Sequence, residues 1–429
     1  MEKYQNTYKW LNERLSKLSK WPKLQKIYQN TFLSTLETTT KSLDDGTSYV
    51  FTGDIPAMWL RDSSAQVRHY IKLCKIDQDM NQMIQGLIER QFMYINIDPY
   101  ANAFNEYPDE KLGHIGDLPK IDPWVWERKF ELDSLCYPLW ILDIYFQETG
   151  NNLVFTETVK KGFQTILETI KIELNHKNKS YYWFIRPNAR EDESPKNGGR
   201  GRDFNDKIDL IWSAFRPSDD VCIYNYFIPG NQFAVLALEI LAKYLEDKEL
   251  ANEAKNLAQK INQAINQYGI VRHETYGEMF AYEIDGFGNY NLMDDANIPS
   301  LLALPYLNYL SIDNPIYQNT RRFILSKENP FYFEGKFAKG IGSPHTPDQY
   351  IWHIGLIAQA LTTNNFEEKK LILKTLLNTH NNTYVMHEGF HANNPALFTR
   401  EWFSWANSLF SHFIDENFAI IEELMAGIE

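Results

Sequence analysis

The stretch Phe233–Ile265, FAVLALEILAKYLEDKELANEAKNLAQKINQAI, carries the i, i+3, i+4 period of apolar residues twice. Phe233–Leu245 and Leu250–Ile265 each read as a helix, and the polar turn between them is only EDKE. Outward from this pair the same period marks Tyr28–Leu43, Trp59–Cys74, Gln82–Tyr94, Ser134–Glu148 and Val154–Leu174 on one side. On the other side it marks Ile298–Leu310, Tyr350–Leu361, Phe366–Asn378 and Trp402–Ile421. Strand signals are short and few: Tyr181–Arg186, Ile208–Phe215 and Met279–Ile284. They do not alternate with the helices, which argues against a doubly wound sheet or a TIM barrel. Paired helices without a repeat of fixed period disfavour a solenoid. The pattern predicts an all-α fold, an (α/α)6 barrel of two concentric helical rings with a few short strands in the loops. In such a barrel the loops at one end enclose a pocket. No linker rich in Pro, Gly or Ser divides the chain, so residues 1–429 are expected to form a single catalytic domain. The polar, glycine-rich segment Glu191–Lys207 reads as a long surface loop and a candidate lid.

Composition narrows the function. The 429 residues are 44% hydrophobic, enough for a large core, and the net charge is −13. That acidity disfavours nucleic acid and anionic membrane as partners, because both reward clustered Lys and Arg. The first twenty residues have no apolar run of signal-peptide length, and no stretch approaches a bilayer span. Cys74, Cys136 and Cys222 are sparse and sit among apolar neighbours, a pattern of buried thiols rather than disulfides or a zinc site. Together these features predict a soluble, cytoplasmic protein. Aromatic content of 14%, with 11 Trp, fits core packing and equally fits stacking against the apolar face of a pyranose.

Six clusters of polar and aromatic residues lie between the predicted helices. Thr52–Tyr70 contains Trp59, Arg61 and Asp62, where an Arg–Asp pair supplies the donor fork and acceptor that grip adjacent sugar hydroxyls. The competing reading is an N-cap region with a solvated ion pair. Pro123–Trp140 offers Trp124 and Trp126 for stacking, and Glu127, Glu131 and Asp133 as hydroxyl acceptors, or simply an acidic helix start. Phe215–Ala234 contains Ser218, Asp219 and Asp220, either a helix start capped by Ser218 or the seat of a general acid. Adjacent carboxylates raise one another's pKa and a helix N-terminus lowers it, so spacing leaves the net shift open. Tyr282–Leu310 contains Asp294, Asp295 and Asn297. Lys339–Ile354 carries His345 in a turn-rich loop, and Met386–Phe410 carries Glu388, Arg400, Trp402 and Trp405. No cluster has the Cys/His spacing of a transition-metal site, and there is no Walker loop, nucleophile elbow or dinucleotide fingerprint.

In this order the segments DIPAMWLRDS, ELDSLCYPLW, FRPSDD, YEIDGFGN, LMDDANIPSLL, GIGSPHTP, MHEGF and FTREWFSWANSLF resemble glycoside hydrolase family 125, the exo-α-1,6-mannosidases. They run from about residue 50 to about residue 412. The resemblance implies the (α/α)6 barrel, inversion at the anomeric carbon, and catalysis with neither metal nor cofactor. The implied substrate is a small α-mannoside, a mannan oligosaccharide or an N-glycan fragment. The resemblance also implies that Asp220 is the general acid, with Asp219 as second choice, and that Glu388 is the general base. Arg61 and Asp62 fall on its sugar-binding pair. Trp59, Trp126, Glu131, Asp133, Asp294, Asp295, Asn297, His345, Arg400 and Trp405 are the further candidate substrate-binding residues. At His391–Pro395 (HANNP) the sequence departs from the pattern, with Asn393 and Asn394 where an acidic pair is expected. The rival readings are another (α/α)6 sugar enzyme, glucoamylase-like or epimerase, and a non-catalytic mannan-binding protein. Scarce motif histidines weigh against the epimerase, and the presence of both Asp220 and Glu388 against the binder.

A metal-free mechanism predicts that activity survives exhaustive chelation. Loss of activity with EDTA and recovery with calcium or zinc would overturn it.

Overall fold

Five outer helices begin where a polar side chain catches their free N–H groups. The computed structural model describes residues 3–108, 111–189 and 193–428. In it Asp77 caps Gln78–Ile97, Thr156 caps Glu157–Glu173, Asp247 caps Lys248–Tyr268, Asn314 caps Pro315–Ile324 and Asn365 caps Phe366–Thr379. These helices are amphipathic. Lys248–Tyr268, for example, buries Ala254, Ala258, Ile261, Ala264 and Ile265, one stripe at helical spacing. With Pro22–Ser34 they form the outer ring of the barrel.

Between them in sequence come helices that are buried almost all round: Leu60–Val67, Asp133–Thr149, Ile228–Tyr244, His353–Leu361 and Ser404–Glu416. Neighbours in this inner ring pack on one another, and Ser404–Glu416 closes it against Leu60–Val67. The fourth inner position is different. Sequence period predicts a helix over Ile298–Leu310, but Leu301–Leu310 is a run of turns. Pro305 has no N–H to donate, and the bonds around it jump between spacings: Ala303 N to Ser300 O, Leu307 N to Ala303 O and Tyr309 N to Leu304 O. The wall is still filled there, since Tyr306 packs its ring on Trp140 and His412. No described helix is long and apolar enough to cross a membrane.

The inner helices start without side-chain caps, behind Trp59, Leu132, Phe227, Trp352 and Phe403. Three of them are entered from a short strand in a three-stranded antiparallel sheet. Met58–Trp59 pairs with Ala103–Phe104, which pairs with Val125–Glu127. Tyr226–Phe227 pairs with Glu283–Ile284, and Tyr350–Trp352 with Gly389–His391. Of the strands expected from sequence, Tyr181–Arg186 and Ile208–Phe215 are reduced to isolated bridges at Ile185 and Phe215. The candidate lid lies partly outside the described residues at 191 and 192, and its remainder does not reach the cavity described below.

The core between the rings is aromatic. Phe233, fully buried, meets Tyr137 edge-on at 5.0 Å and Trp140 at 6.3 Å between ring centres. Phe233→Ala should therefore destabilise the protein by about 3–5 kcal/mol. Equilibrium denaturation checks this, and an unmoved midpoint would mean that these rings do not join the inner helices.

Candidate active site

Uncapped inner helices place their positive N-terminal ends at one end of the barrel, where carboxylates are favoured. A pocket opens there. Thr52, Ile55, Trp59, Arg61 and Asp62 line it from the first loop and helix, and Pro217, Ser218 and Asp219 from the loop before Tyr226. Asn297, His345, Trp352, Glu388, Arg400, Phe403 and Trp405 complete the wall.

Arg61 organises one side. Its Nη1 lies 2.6 Å from Glu131 Oε2 and 3.1 Å from Asp133 Oδ2, Nε lies 3.6 Å from Asp62 Oδ2, and Nη2 lies 3.7 Å from Asp219 Oδ1. All but Asp219 are buried. Burial pushes the Asp62 carboxyl up to about 6, against the pull of Arg61 and Arg400. Burial likewise raises Glu131 and Asp133, although Arg61 opposes it. Arg61 Nε and Trp59 Nε1 are buried beside the cavity with no hydrogen-bond partner among the described residues.

The two adjacent aspartates differ. Asp219 adopts the left-handed region, φ 65°, in a loop closed by bonds from Asp219 N to Arg216 O and from Arg216 N to Asp220 O. Arg216 anchors that loop through two bonds to the buried Glu283, at 2.7 and 3.0 Å. Asp219 thereby lines the cavity, with Asn102 Nδ2 donating to its Oδ1 at 3.2 Å and Lys129 Nζ to its carbonyl at 2.8 Å. Asp220 turns aside. Its carboxylate accepts from Ser218 Oγ at 2.7 Å and lies 3.6 Å from His345 Nδ1. Burial would raise Asp220, but the His345 contact outweighs it and holds the carboxyl low. The same pairing overcomes burial at His345 and pushes the imidazole up to about 9.

Glu388, 4% exposed, stands in the last loop set with Arg400 Nη1 3.5 Å away. Arg400 is itself fixed by Asp54, at 2.6 Å from Nη2. The backbone under Glu388 is pinned from two inner helices: Met386 N donates to Asn407 Oδ1 at 2.8 Å and His387 N to His353 Nδ1 at 2.9 Å.

Of the sequence candidates, Trp59, Arg61, Asp62, Asp219, Asn297, His345, Glu388, Arg400 and Trp405 meet on this wall. Glu131 and Asp133 lie behind it, fully buried against Arg61. Asp294 also lies behind. Its carboxylate accepts from Leu301 N and Leu302 N at 2.9 Å each, and burial pushes it up to about 8. Asp295 accepts from Asn297 Nδ2 and Ser343 Oγ, orienting Asn297. Trp126 packs on Trp59, Ala57 and Ala103 outside the cavity. Asn102, Lys129, Asp54 and Glu283 were not singled out as site residues from sequence. Nothing in their spacing marks them, since each acts through a partner distant in sequence.

This is the site of a glycoside hydrolase built on an (α/α)6 barrel: carboxyls on opposing loops, aromatic walls and an Arg–Asp pair around one cavity. Residues 21–415 match the family of metal-independent α-mannosidases, glycoside hydrolase family 125, and the chain belongs to it. A Schizosaccharomyces pombe relative, the meiotically up-regulated gene 157 protein, is 38% identical over 414 residues, covering 91% of this chain and 81% of that one. A Streptococcus pneumoniae metal-independent α-mannosidase, solved in a non-productive complex with α-1,6-mannobiose, is 42% identical with a TM-score of 0.94. That match covers 97% of this chain and 99% of the other. A bacterial glucoamylase, 11% identical with a TM-score of 0.58, shares the fold over 92% of this chain and 55% of its own.

Replacing Arg61 tests the electrostatic centre. Arg61→Met leaves buried carboxylates without their cation and should cost about 3–5 kcal/mol at pH 7. Asp62, Glu131 and Asp133 have folded pKa values above their unfolded ones, so the stability they contribute is present at low pH and falls as pH rises. Losing Arg61 pushes them further up. The deficit should therefore shrink between pH 7 and pH 5 in urea titrations, and a deficit independent of pH would contradict this assignment.

Proposed function

We propose that this α-mannosidase removes terminal α-1,6-linked mannose from mannosides or N-glycan fragments by inverting hydrolysis, with Asp219 as general acid and Glu388 as general base. The observation that carries this reading is one cavity with these two carboxyls on separate loops and the Arg61–Asp62 pair between them. The pneumococcal relative's mannobiose complex supports the α-1,6 linkage. Sequence resemblance put Asp220 ahead of Asp219. The geometry favours the reverse order, because Asp219 lines the cavity whereas Asp220 is occupied by Ser218 and His345.

The mechanism follows from these positions. Asp62 and Arg61 hold hydroxyls of the terminal mannose, and Trp59 and Trp405 flank it. Asp219 delivers a proton to the glycosidic oxygen as its bond to the anomeric carbon breaks. Glu388 takes a proton from a water that attacks the opposite face, so an α-mannoside yields β-mannose. His345 on the cavity wall, with Asp220 paired behind it, is the proposed contact of the leaving sugar. The whole chain acts as one catalytic unit in this reading. A cytoplasmic location is part of the same proposal, supported by three buried, unpaired cysteines.

Asp219→Asn and Glu388→Gln should each lower kcat on α-1,6-mannobiose by roughly 10²–10⁴-fold. The Asp219 variant should recover on activated aryl mannosides, which need little protonation, and the Glu388 variant should not. Proton NMR of a fresh reaction should show β-mannose first. Initial α-mannose would rule out inversion, and recovery on aryl mannosides by Asp220→Asn instead of Asp219→Asn would return the acid role to Asp220.

A further inference from the structure

A general acid must hold a proton at neutral pH, and Asp219 alone is poorly placed to do so. Burial would raise its pKa, but Lys129, the contact with Glu131, and Arg61 together hold it low. The side chain on which the proton is kept stands directly behind it. Glu131 is fully buried and does not itself line the cavity. One amide nitrogen, Asn102 Nδ2, lies within reach of both, 3.4 Å from Glu131 Oε1 and 3.2 Å from Asp219 Oδ1, with Glu127 Oε1 as its third acceptor at 3.0 Å. One guanidinium, that of Arg61, sits between Glu131 Oε2 and Asp219 Oδ1. The shared donors bring the two carboxyls into contact, and two carboxyls in contact cannot both be ionised cheaply even beside one cation.

We infer that Glu131 and Asp219 share a single proton, and that Glu131 is the positioning residue that stores this proton for the acid. The inference rests on the assignment of Asp219 as acid. When a sugar displaces water from Asp219, its ionised form loses solvation and the proton passes from Glu131 to Asp219. It goes on to the glycosidic oxygen as the C–O bond breaks, and Glu131 is left as a carboxylate against Arg61. The attacking water gives its proton to Glu388, which releases it to solvent, and solvent returns one proton to the pair.

The surrounding charges favour retention of that proton. Facing the pair are the cations Arg61, Lys129 and His345 and the carboxyls Asp62, Glu127 and Asp133. His345 is paired with Asp220, and Glu127 with Arg186, which also binds Asp117. Across the cavity Glu388 and Arg400 form their own pair. Around Arg61 the carboxyls outnumber the cations, and burial raises Glu131 although Arg61 opposes it.

The test is the pH profile of kcat/KM on α-1,6-mannobiose, whose alkaline limb reports the acid. Glu131→Gln keeps the shape but supplies an amide that stabilises ionised Asp219. Its alkaline limb should move to lower pH by about one unit or more, and kcat at pH 7 should fall by roughly 10-fold or more. KM should change by less than about threefold, and activated aryl mannosides should be hit far less. Glu131→Asp, which retains a titrating group, should recover part of the loss, and it decides the question through its own alkaline limb if Glu131→Gln does not fold. An unmoved alkaline limb in a folded variant, with Asp219→Asn still behaving as an acid mutant, overturns the shared proton alone. If Asp219→Asn is not rescued by aryl leaving groups, the acid assignment and this inference fail together.

Discussion

The buried guanidinium of Arg61 is the constraint on which the site depends. Four carboxyls from three segments converge on it: Asp62 on its own helix, Glu131 and Asp133 at the start of the second inner helix, and Asp219 from the loop before Tyr226. A cation taken out of water is tolerated only with anions in good geometry, and these anions are tolerated only with the cation. Each loop of the first half of the barrel is thereby tied to the others through one side chain, and the cavity wall takes its shape from that tie.

The second half is held differently. Arg400 spans from Asp54, in the first loop, to Glu388, and so closes the ring of loops where the chain's last inner helix meets its first. Gly53 makes this closure possible. Its φ is 141°, and a Cβ there would lie 2.3 Å from the Trp402 carbonyl oxygen. Below, Asn407 and His353 hold the amides of Met386 and His387, so Glu388 is carried on backbone fixed by two inner helices rather than on a free loop. A carboxyl held this way keeps its direction without reorganising.

The two halves divide the chemistry. The Arg61 side is rich in carboxyls that burial pushes up, whereas the Glu388 side offers one carboxyl beside an arginine that is anchored on both oxygens of Asp54. Uncapped helix N-termini around the cavity add a common positive field that lets so many acids gather in one place.

The helical period alone determined the paired-helix barrel, because an amphipathic outer helix and an apolar inner one differ in pattern along their whole length. Motif order determined which loops would meet, and Trp59, Arg61, Asp62, Glu388, Arg400 and Trp405 were legible in it. The helix expected at Ile298–Leu310 was not realised, because Pro305 removes a donor that periodicity does not count. Tertiary structure alone decided which acids face the cavity and which stand behind it. Glu131, Asp133 and Asp294 look in sequence like any acids at a helix start. Only three-dimensional packing gives the first two to Arg61 and the third to the amides of Leu301 and Leu302. The choice between Asp219 and Asp220 is of the same kind. It turns on one left-handed residue and on a histidine more than a hundred positions away, and local sequence carries no signal for a contact at that range.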